Sequence, residues 1–471
     1  MRHAARPYSQ IMLSDSVKAA PALRSREDAA AAALLAPSAA AGEGAHPSTA
    51  DFDAWFAGRA AAGRYQVRQI PFGALRGWSF EEGTGDLRHE TGRFFSVEGL
   101  HVALEHDWYQ PILHQPEVGV LGLLAKRFGG ELHFLMQAKM EPGNPNLVQL
   151  SPTVQATYSN YTRVHRGKGT RYLEYFVGNR RGRVLADALQ SELGWWFYRK
   201  SNRNMVVEVT DEVAVHEDYR WVTLGQLGEL MRRDLLLAMD TRSVLSCLPV
   251  PRRERGALLT DVELLSWLTE MRSRRHPSAR LVPLARTPGW RVGESSIGHE
   301  DGRCFRVVAV SVEADRREVS RWTQPLLEPP GQGVAGFLSR TIDGVRHVLV
   351  HARVEPGLVH TVELGPTAQW TPGDHARLTG QDEPPFLDAL LTADPARIRY
   401  EAVHSEEGGR FRNADSRYLV VEADETQAPL DPPPGYQWVT PGQLTWLLRH
   451  GHYVTMEART LMAGLNLGSV R

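Results

Sequence analysis

The chain has 471 residues, 42% of them apolar and 23% charged, which is the mixture of a globular protein and not of a disordered, collagenous or membrane-embedded chain. Its 54 Lys and Arg against 55 Asp and Glu leave a net charge of −1, so no global attraction to nucleic acid or an anionic membrane is built in. Two cysteines, Cys247 and Cys304, exclude a disulfide framework and lack the paired spacing of a zinc site.

Residues 1–50 are Ala-rich with scattered Ser, Pro and Gly, and read as a loosely attached, disordered tail with a short helix over Ser25 to Leu35. The start, MRHAARPYSQIML, has no apolar segment with a cleavage site, and no apolar run approaches the ~20 residues of a membrane span. A cytoplasmic protein is the expectation.

From Asp51 onward the chain repeats itself. Gly77-Trp78 recurs as Gly289-Trp290; WYQPIL from Trp108 recurs as WTQPLL from Trp322; LSPTVQAT (150–157) recurs as LGPTAQWT (364–371); YRWVTLGQL (219–227) recurs as YQWVTPGQL (436–444). Between Gly119–Gly143 and Gly333–Gly357, eleven positions are identical. The reading is a first repeat over 51–248, a charged, Pro-containing linker over 249–257, and a second repeat over 258–471.

Each repeat predicts the same elements in order. An amphipathic helix (FDAWFAGRA; VELLSWLTEMRS) precedes strands such as FFSVEGLHVAL and CFRVVAVSVEA. A hairpin with a Gly-containing turn follows (VLGLLAKRFGGELHFLMQAKM; VAGFLSRTIDGVRHVLVHARV). Then come a helix (VLADALQSELG; FLDALLTAD), a strand (NMVVEV; RYLVVEA) and one closing helix (GQLGELMRRDLLLAM; GQLTWLLRHGHYVTM). The fold class is α+β with mixed or antiparallel sheets.

The densest polar block runs from Gln137 to Phe176. Lys139 and Glu141 stand at i and i+2, hence on one strand face, before a Pro-Gly-Asn turn, and read either as an exposed edge pair or as an acid/base pair in a cleft. Gln155, Thr157, Tyr158, Ser159, Asn160, Tyr161, Thr162, Arg163 and Arg166 add amides, hydroxyls, aromatic faces and cations, a set suited to a nucleoside diphosphate sugar. Arg180, Arg181 and Arg183 read equally as phosphate ligands or a solvated turn. Trp108, Trp195 and Trp196 are stacking or core residues. The glycine that a phosphate loop needs before GKGT is Thr162, no GxGxxG or GxSxG occurs, and the 18 histidines show no metal-ligand spacing.

KMEPGN (139–144), QLSPTVQATYSNYTRVH (149–165), SEEGGRF (405–411) and the paired YxWVTxGQL segments resemble the NDP-hexose 2,3-dehydratases of deoxysugar biosynthesis. The resemblance implies two tandem Nudix-hydrolase-like domains, a dTDP-sugar pocket in each, a homodimer, and no redox cofactor. The implied reaction removes the C3 proton of dTDP-4-keto-6-deoxy-glucose and expels the C2 hydroxyl, giving a 3,4-diketo-2,6-dideoxy sugar that a 3-ketoreductase consumes. The glutamate-rich metal helix of Nudix hydrolases is incomplete around Glu192 and around Glu406 and Glu407, so no metal site and no diphosphate hydrolysis are expected.

The first repeat keeps more polar groups than the second, which has Arg353 for Lys139, Leu358 for Asn144 and Trp370 for Ala156. On that basis the catalytic residues expected are Lys139, Glu141, Tyr158 and Tyr161, with substrate held by Trp108, Gln137, Asn144, Gln155, Thr157, Ser159, Asn160, Thr162, Arg163 and Arg166. Trp322, Arg353, Glu355 and Gln369 would form the second, vestigial pocket. The rival readings are a non-catalytic sugar-nucleotide sensor and a metal-dependent hydrolase.

Overall fold

The computed structural model describes residues 26–46, 51–103, 107–157, 169–178, 182–251, 256–274, 278–372 and 383–470. The first half contains α1 (Arg26–Ala40), α2 (Phe52–Ala62), β1 (Tyr65–Ile70), β2 (Trp78–Phe80), β3 (Leu87–His89), β4 (Ser96–Ala103) and β5 (Trp108–His114). It continues through β6 (Gly119–Phe128), β7 (Glu131–Met140), β8 (Val148–Ser151), β9 (Val154–Ala156), β10 (Arg183–Ser191), β11 (Ser201–Val209), β12 (Tyr219–Thr223), α3 (Leu224–Leu230) and α4 (Met239–Ser246). The second half repeats the plan: α5 (Asp261–Arg274), β13 (Ser278–Val282), β14 (Trp290–Val292), β15 (Ser296–His299), β16 (Arg306–Ala314), β17 (Arg321–Glu328), β18 (Gly333–Ile342) and β19 (Val345–Val354). It ends with β20 (Val362–Gly365), β21 (Ala368–Trp370), α6 (Leu387–Leu391), β22 (Ile398–Ser405), β23 (Asp415–Glu422), β24 (Tyr436–Val439), α7 (Pro441–Leu447) and α8 (Met456–Asn466).

Each half owns a seven-stranded mixed sheet. In the first its main path is β10-β11-β6-β7-β12, with β11 and β6 parallel; the second repeats this with β23 and β18 parallel. The predicted hairpins are present, and their two-residue turns suit the residues there: Gly129-Gly130 and Asp343-Gly344 all take positive φ.

The two smaller sheets are built by exchange. Strand β1 of the first half pairs antiparallel with β16 of the second, Tyr65 opposite Ala314 through Ile70 opposite Ala309. Strand β13 of the second half returns the exchange by pairing with β4, Ser278 opposite Ala103 through Val282 opposite Gly99. One apolar cluster also runs through both halves, from Leu121, Phe134 and Leu150 to Phe337, Val350 and Leu461. The halves share a core.

The two Glu-Pro-Gly turns lock this arrangement. Gly143 N–H donates to the Gly408 carbonyl (2.7 Å) and Asn413 N–H donates to the Gly143 carbonyl (2.8 Å). In mirror image, Gly357 N–H donates to Gly194 O (2.8 Å) and Arg199 N–H to Gly357 O (2.6 Å). A Cβ on Gly143 would sit 1.7 Å from the Phe411 carbonyl oxygen, and one on Gly357 2.0 Å from that of Phe197. Side-chain-free backbone is what lets each turn enter the opposite half.

The repeated YxWVTxGQL motif is structural. Trp221 and Trp438 are buried, and Thr223 and Thr440 cap α3 and α7 in full capping boxes with Gln226 and Gln443.

Three expectations change. VLADALQSELG forms β10, an edge strand paired with β11, and not a helix. Ala, Leu and Gln favour helix in isolation, but the ladder to β11 overrides that preference. The closing segment is two helices, because Leu235 (φ 54) in the first half and His452 (φ 66) in the second turn the chain left-handed between α3 and α4 and between α7 and α8. Within the expected loose tail, α1 is docked: Leu34 and Leu35 are buried, the Ser38 hydroxyl bridges Leu132 O and Leu224 N, and Thr223 Oγ1 donates to Ala41 O.

Gly143→Ala is expected to cost at least about 2 kcal/mol, seen as a lower melting temperature, because the clash is with backbone that cannot swing away. Gly58→Ala, in α2 with open space around its Cβ, is expected to gain about 0.5–1 kcal/mol in the same melt.

Candidate active site

The same structural position in each half has a different fate. In the first half it is a cavity of about 440 Å³, well inside the usual range for ligand pockets. In the second only about 50 Å³ remains.

The cavity is built on the end of β7. Lys139 and Glu141 share its inner face, are both buried, and form an ion pair of 2.8 Å. Lys139 Nζ also donates to Gln155 Oε1 (2.7 Å), and Arg317 from the second half approaches Glu141 Oε1 at 3.3 Å. Burial works against a charge on Glu141, but Arg317 and Lys139 outweigh it and hold the carboxyl below its usual range, so it is ionised.

Among the other carboxyls that line the same space are Glu192 after β10, Asp240 in the first turn of α4, and Glu407 from the second half. Burial pushes Glu192 up; Asn202 donates to its Oε1 (2.6 Å), while its Oε2 has no partner among the described residues. Burial, and then the neighbouring Glu407 and Glu192 carboxylates, drive Asp240 well above the ordinary aspartate range. Burial raises Glu407 to about 7 against the pull of Arg410.

Two cations face these acids. Burial lowers Lys200 to about 8, and its ammonium donates to the Glu117 carbonyl. Arg410 bonds the neutral oxygens of Gln115 (3.2 Å) and Gly409 (2.8 Å), and its guanidinium stacks 4.3 Å over Phe95. Trp78, Phe94, Phe95 and Trp322 supply apolar walls.

The second position is filled by its own residues. Where the cavity has Ala156, Glu407, Gly409 and Arg410, the second half meets Trp370, Leu193, Trp195 and Trp196, all lining what space is left. Arg353 pairs with Glu355 (2.9 Å), whose other oxygen takes the Gly194 N–H (2.9 Å), and Gln369 donates to Glu457 (2.5 Å).

Of the residues singled out from sequence, Lys139, Glu141, Gln155 and Thr157 meet at the cavity. Trp108 and Gln137 do not line it; Trp108 bonds Gln110 on its own strand, and Gln137 lies in the β7 ladder opposite Tyr219. Asn144 is buried in the Glu-Pro-Gly turn, with its amide on Leu147 O (3.3 Å) and its side chain against Gly408. Trp322, expected in the second pocket, lines the first, because the exchange of β1 brings β16 and its neighbour β17 beside the first half. Arg353 and Gln369 do line the second position, and Glu355 braces it. Arg183 is an exposed partner of Glu208. Tyr158, Ser159, Asn160, Tyr161, Thr162, Arg163, Arg166, Arg180 and Arg181 lie outside the described residues.

Sequence reasoning missed Asp240, Lys200, Asn202, Arg317 and Arg410 as members of one site. SEEGGRF carried a signal for Glu407 and Arg410, but nothing in it says that this turn completes the pocket of the other half.

The profile of the NDP-hexose 2,3-dehydratase family matches residues 49–248 and 261–465. Three relatives, each described as a dTDP-4-dehydro-6-deoxy-alpha-D-glucopyranose 2,3-dehydratase, align along most of the chain. The Amycolatopsis orientalis protein is 54% identical over 470 residues, covering 98% of this chain and 99% of its own. Those from Streptomyces violaceoruber and Saccharopolyspora spinosa are 50% and 47% identical, covering 88% and 89% of this chain and 96% and 91% of their own. With both halves matched in order by the family profile and three relatives aligned along most of the chain, the chain belongs to the NDP-hexose 2,3-dehydratase family.

Proposed function

We propose that this enzyme binds dTDP-4-keto-6-deoxy-glucose in the cavity of the first half and eliminates its C2 hydroxyl to give a dTDP-3,4-diketo-2,6-dideoxy-hexose. The observation that carries the reading is the 54% identity, over nearly the whole length of both chains, to a relative named for that substrate and reaction.

The cavity's chemistry supports it. The C3 proton is acidic because the C4 carbonyl accepts the resulting charge, so the site needs a proton acceptor, a cation or donor at the enolate oxygen, and an acid at C2. The Lys139–Glu141 pair supplies a carboxylate and an ammonium 2.8 Å apart, and in this reading takes the proton at C3 and steadies the C4 oxygen. Tyr158 or Tyr161 shares the acid/base work, and Arg163 and Arg166 engage phosphate. Lys200 and Arg410, bonded to neutral oxygens, have positive charge to offer the diphosphate. The base stacks on the aromatic wall.

The proposal includes a Nudix-like fold for each half, a cytoplasmic homodimer, and a 3-ketoreductase that consumes the unstable product on the route to the sugar of a glycosylated natural product. The second half serves as scaffold and donor of side chains, with no turnover in its filled pocket.

Incubation with dTDP-4-keto-6-deoxy-glucose is expected to consume the substrate and yield a diketo sugar, trapped by a ketoreductase or recovered as maltol; release of dTMP in the presence of magnesium would instead identify a hydrolase, and tight binding without turnover a sensor. Lys139→Met and Glu141→Gln are each expected to lower kcat/KM by about 100-fold or more. Arg353→Lys, which keeps the charge in the second pocket, is expected to stay within about threefold of wild type; an equal loss there would move the chemistry to the second half.

A further inference from the structure

Eliminating water across C2 and C3 takes two proton transfers. One leaves C3; the other must reach the C2 oxygen, because hydroxide is a poor leaving group. Glu141 is ionised between Lys139 and Arg317, and Lys139 is committed to Glu141 and Gln155, so this cluster lacks a ready donor for the second transfer.

Asp240 has the properties of that donor. It lines the cavity, is 3% exposed, and no described residue hydrogen-bonds its carboxyl. The helix that carries it is fixed to the same strand system as Lys139. Ala238 N–H and the Thr241 hydroxyl both donate to Leu150 O (3.1 and 2.8 Å), and the adjacent Gln149 pairs with Lys139 in the β7–β8 ladder. The charged groups of the cavity act on Asp240 together: Glu407, Glu192 and Glu141 favour its neutral form, and Lys139 opposes them.

The second half provides an internal comparison. Its equivalent is Glu457, one methylene longer, which accepts a hydrogen bond from Gln369 in the filled pocket. In the first half the shorter Asp240 leaves the matching Gln155 to Lys139 and keeps its own carboxyl open to the cavity. The difference between the halves falls on the group and the space that a proton donor needs.

We infer that Asp240 is a catalytic residue, whose carboxyl protonates the departing C2 hydroxyl. The C3 proton passes to the base of the Lys139–Glu141 cluster, and the C3–H electron pair forms the enolate with C4. As that enolate collapses to the C2–C3 double bond, the C2–O pair goes to oxygen, which takes the Asp240 proton and leaves as water. Asp240 remains as carboxylate and is recharged by the proton removed from C3; the enol then tautomerises to the diketone. No oxidant or reductant enters. The inference rests on the dehydratase reading of this cavity.

The test uses full-length Asp240→Asn in deuterium oxide with two substrates. With dTDP-4-keto-6-deoxy-glucose, the variant is expected to lose water at least about 100-fold more slowly than wild type while still exchanging the C3 proton for deuterium. With the C2-fluoro analogue, whose fluoride leaves as an anion, the variant is expected to eliminate within about threefold of wild type. Normal dehydration by the variant would overturn the assignment. So would parallel loss of dehydration, C3 exchange and fluoride release, which would mark Asp240 as structural or as the base. A wild-type enzyme that neither exchanges C3 nor loses water would overturn the dehydratase reading itself, an outcome separate from the other two.

Discussion

Two fully buried guanidinium groups hold the molecule in register. Arg242 on α4 donates to Thr460 Oγ1 and to the carbonyls of Leu237 and Ser405; Arg459 on α8 donates to Ser243 Oγ and to the carbonyls of Val454 and Ser191. Each reaches from its own helix into the opposite half and ends on the serine that precedes that half's acidic turn. Burying such an ion costs several kcal/mol unless every donor is used, and here directed hydrogen bonds offset the loss of water. The geometry of Glu192 thus depends on Arg459, a residue of the second half, and that of Glu407 on Arg242, a residue of the first.

Backbone strain follows the same two-fold plan. Leu147 and Thr361, Arg199 and Asn413, Tyr172 and Phe386, and Leu235 and His452 are non-glycine residues at positive φ, and each pair occupies equivalent places in the two halves. Left-handed backbone costs roughly 1 kcal/mol or more per residue. Its presence in both halves, one of them with a filled pocket, assigns it to the shared fold and not to chemistry. What sets the open cavity apart is electrostatic: the carboxyls of Glu141, Glu192, Asp240 and Glu407 meet four cations there, arranged so that Glu141 is ionised and the other three are pushed toward the neutral form.

The duplication, the hairpins and the Lys139–Glu141 pair were legible because they are local or periodic: a two-residue side-chain alternation places both groups on one face whatever the tertiary structure. β10 was not, since VLADALQS favours helix by composition; its counterpart IRYEAVHS, rich in β-branched and aromatic residues, forms the matching β22 and carried the better signal. Asp240 was hidden in a segment whose apolar residues point to a packed helix. Arg317, Trp322, Glu407 and Arg410 were out of reach for another reason. Spacing along one repeat cannot show that strands are exchanged and that each turn completes the neighbouring half.

The exchanged strands also explain how one pocket can fill without closing the other. Two identical chains interlocked this way would carry every substitution twice, so a leucine replacing the acid of the turn would remove it from both pockets. Joined in one polypeptide, the two turns are free to diverge: Glu407 is retained where it serves an open cavity, and Leu193, with Trp195 and Trp196, closes the other. Covalent fusion lets the two halves differ, so that one keeps an open cavity while the other, its own position filled, lends side chains to it.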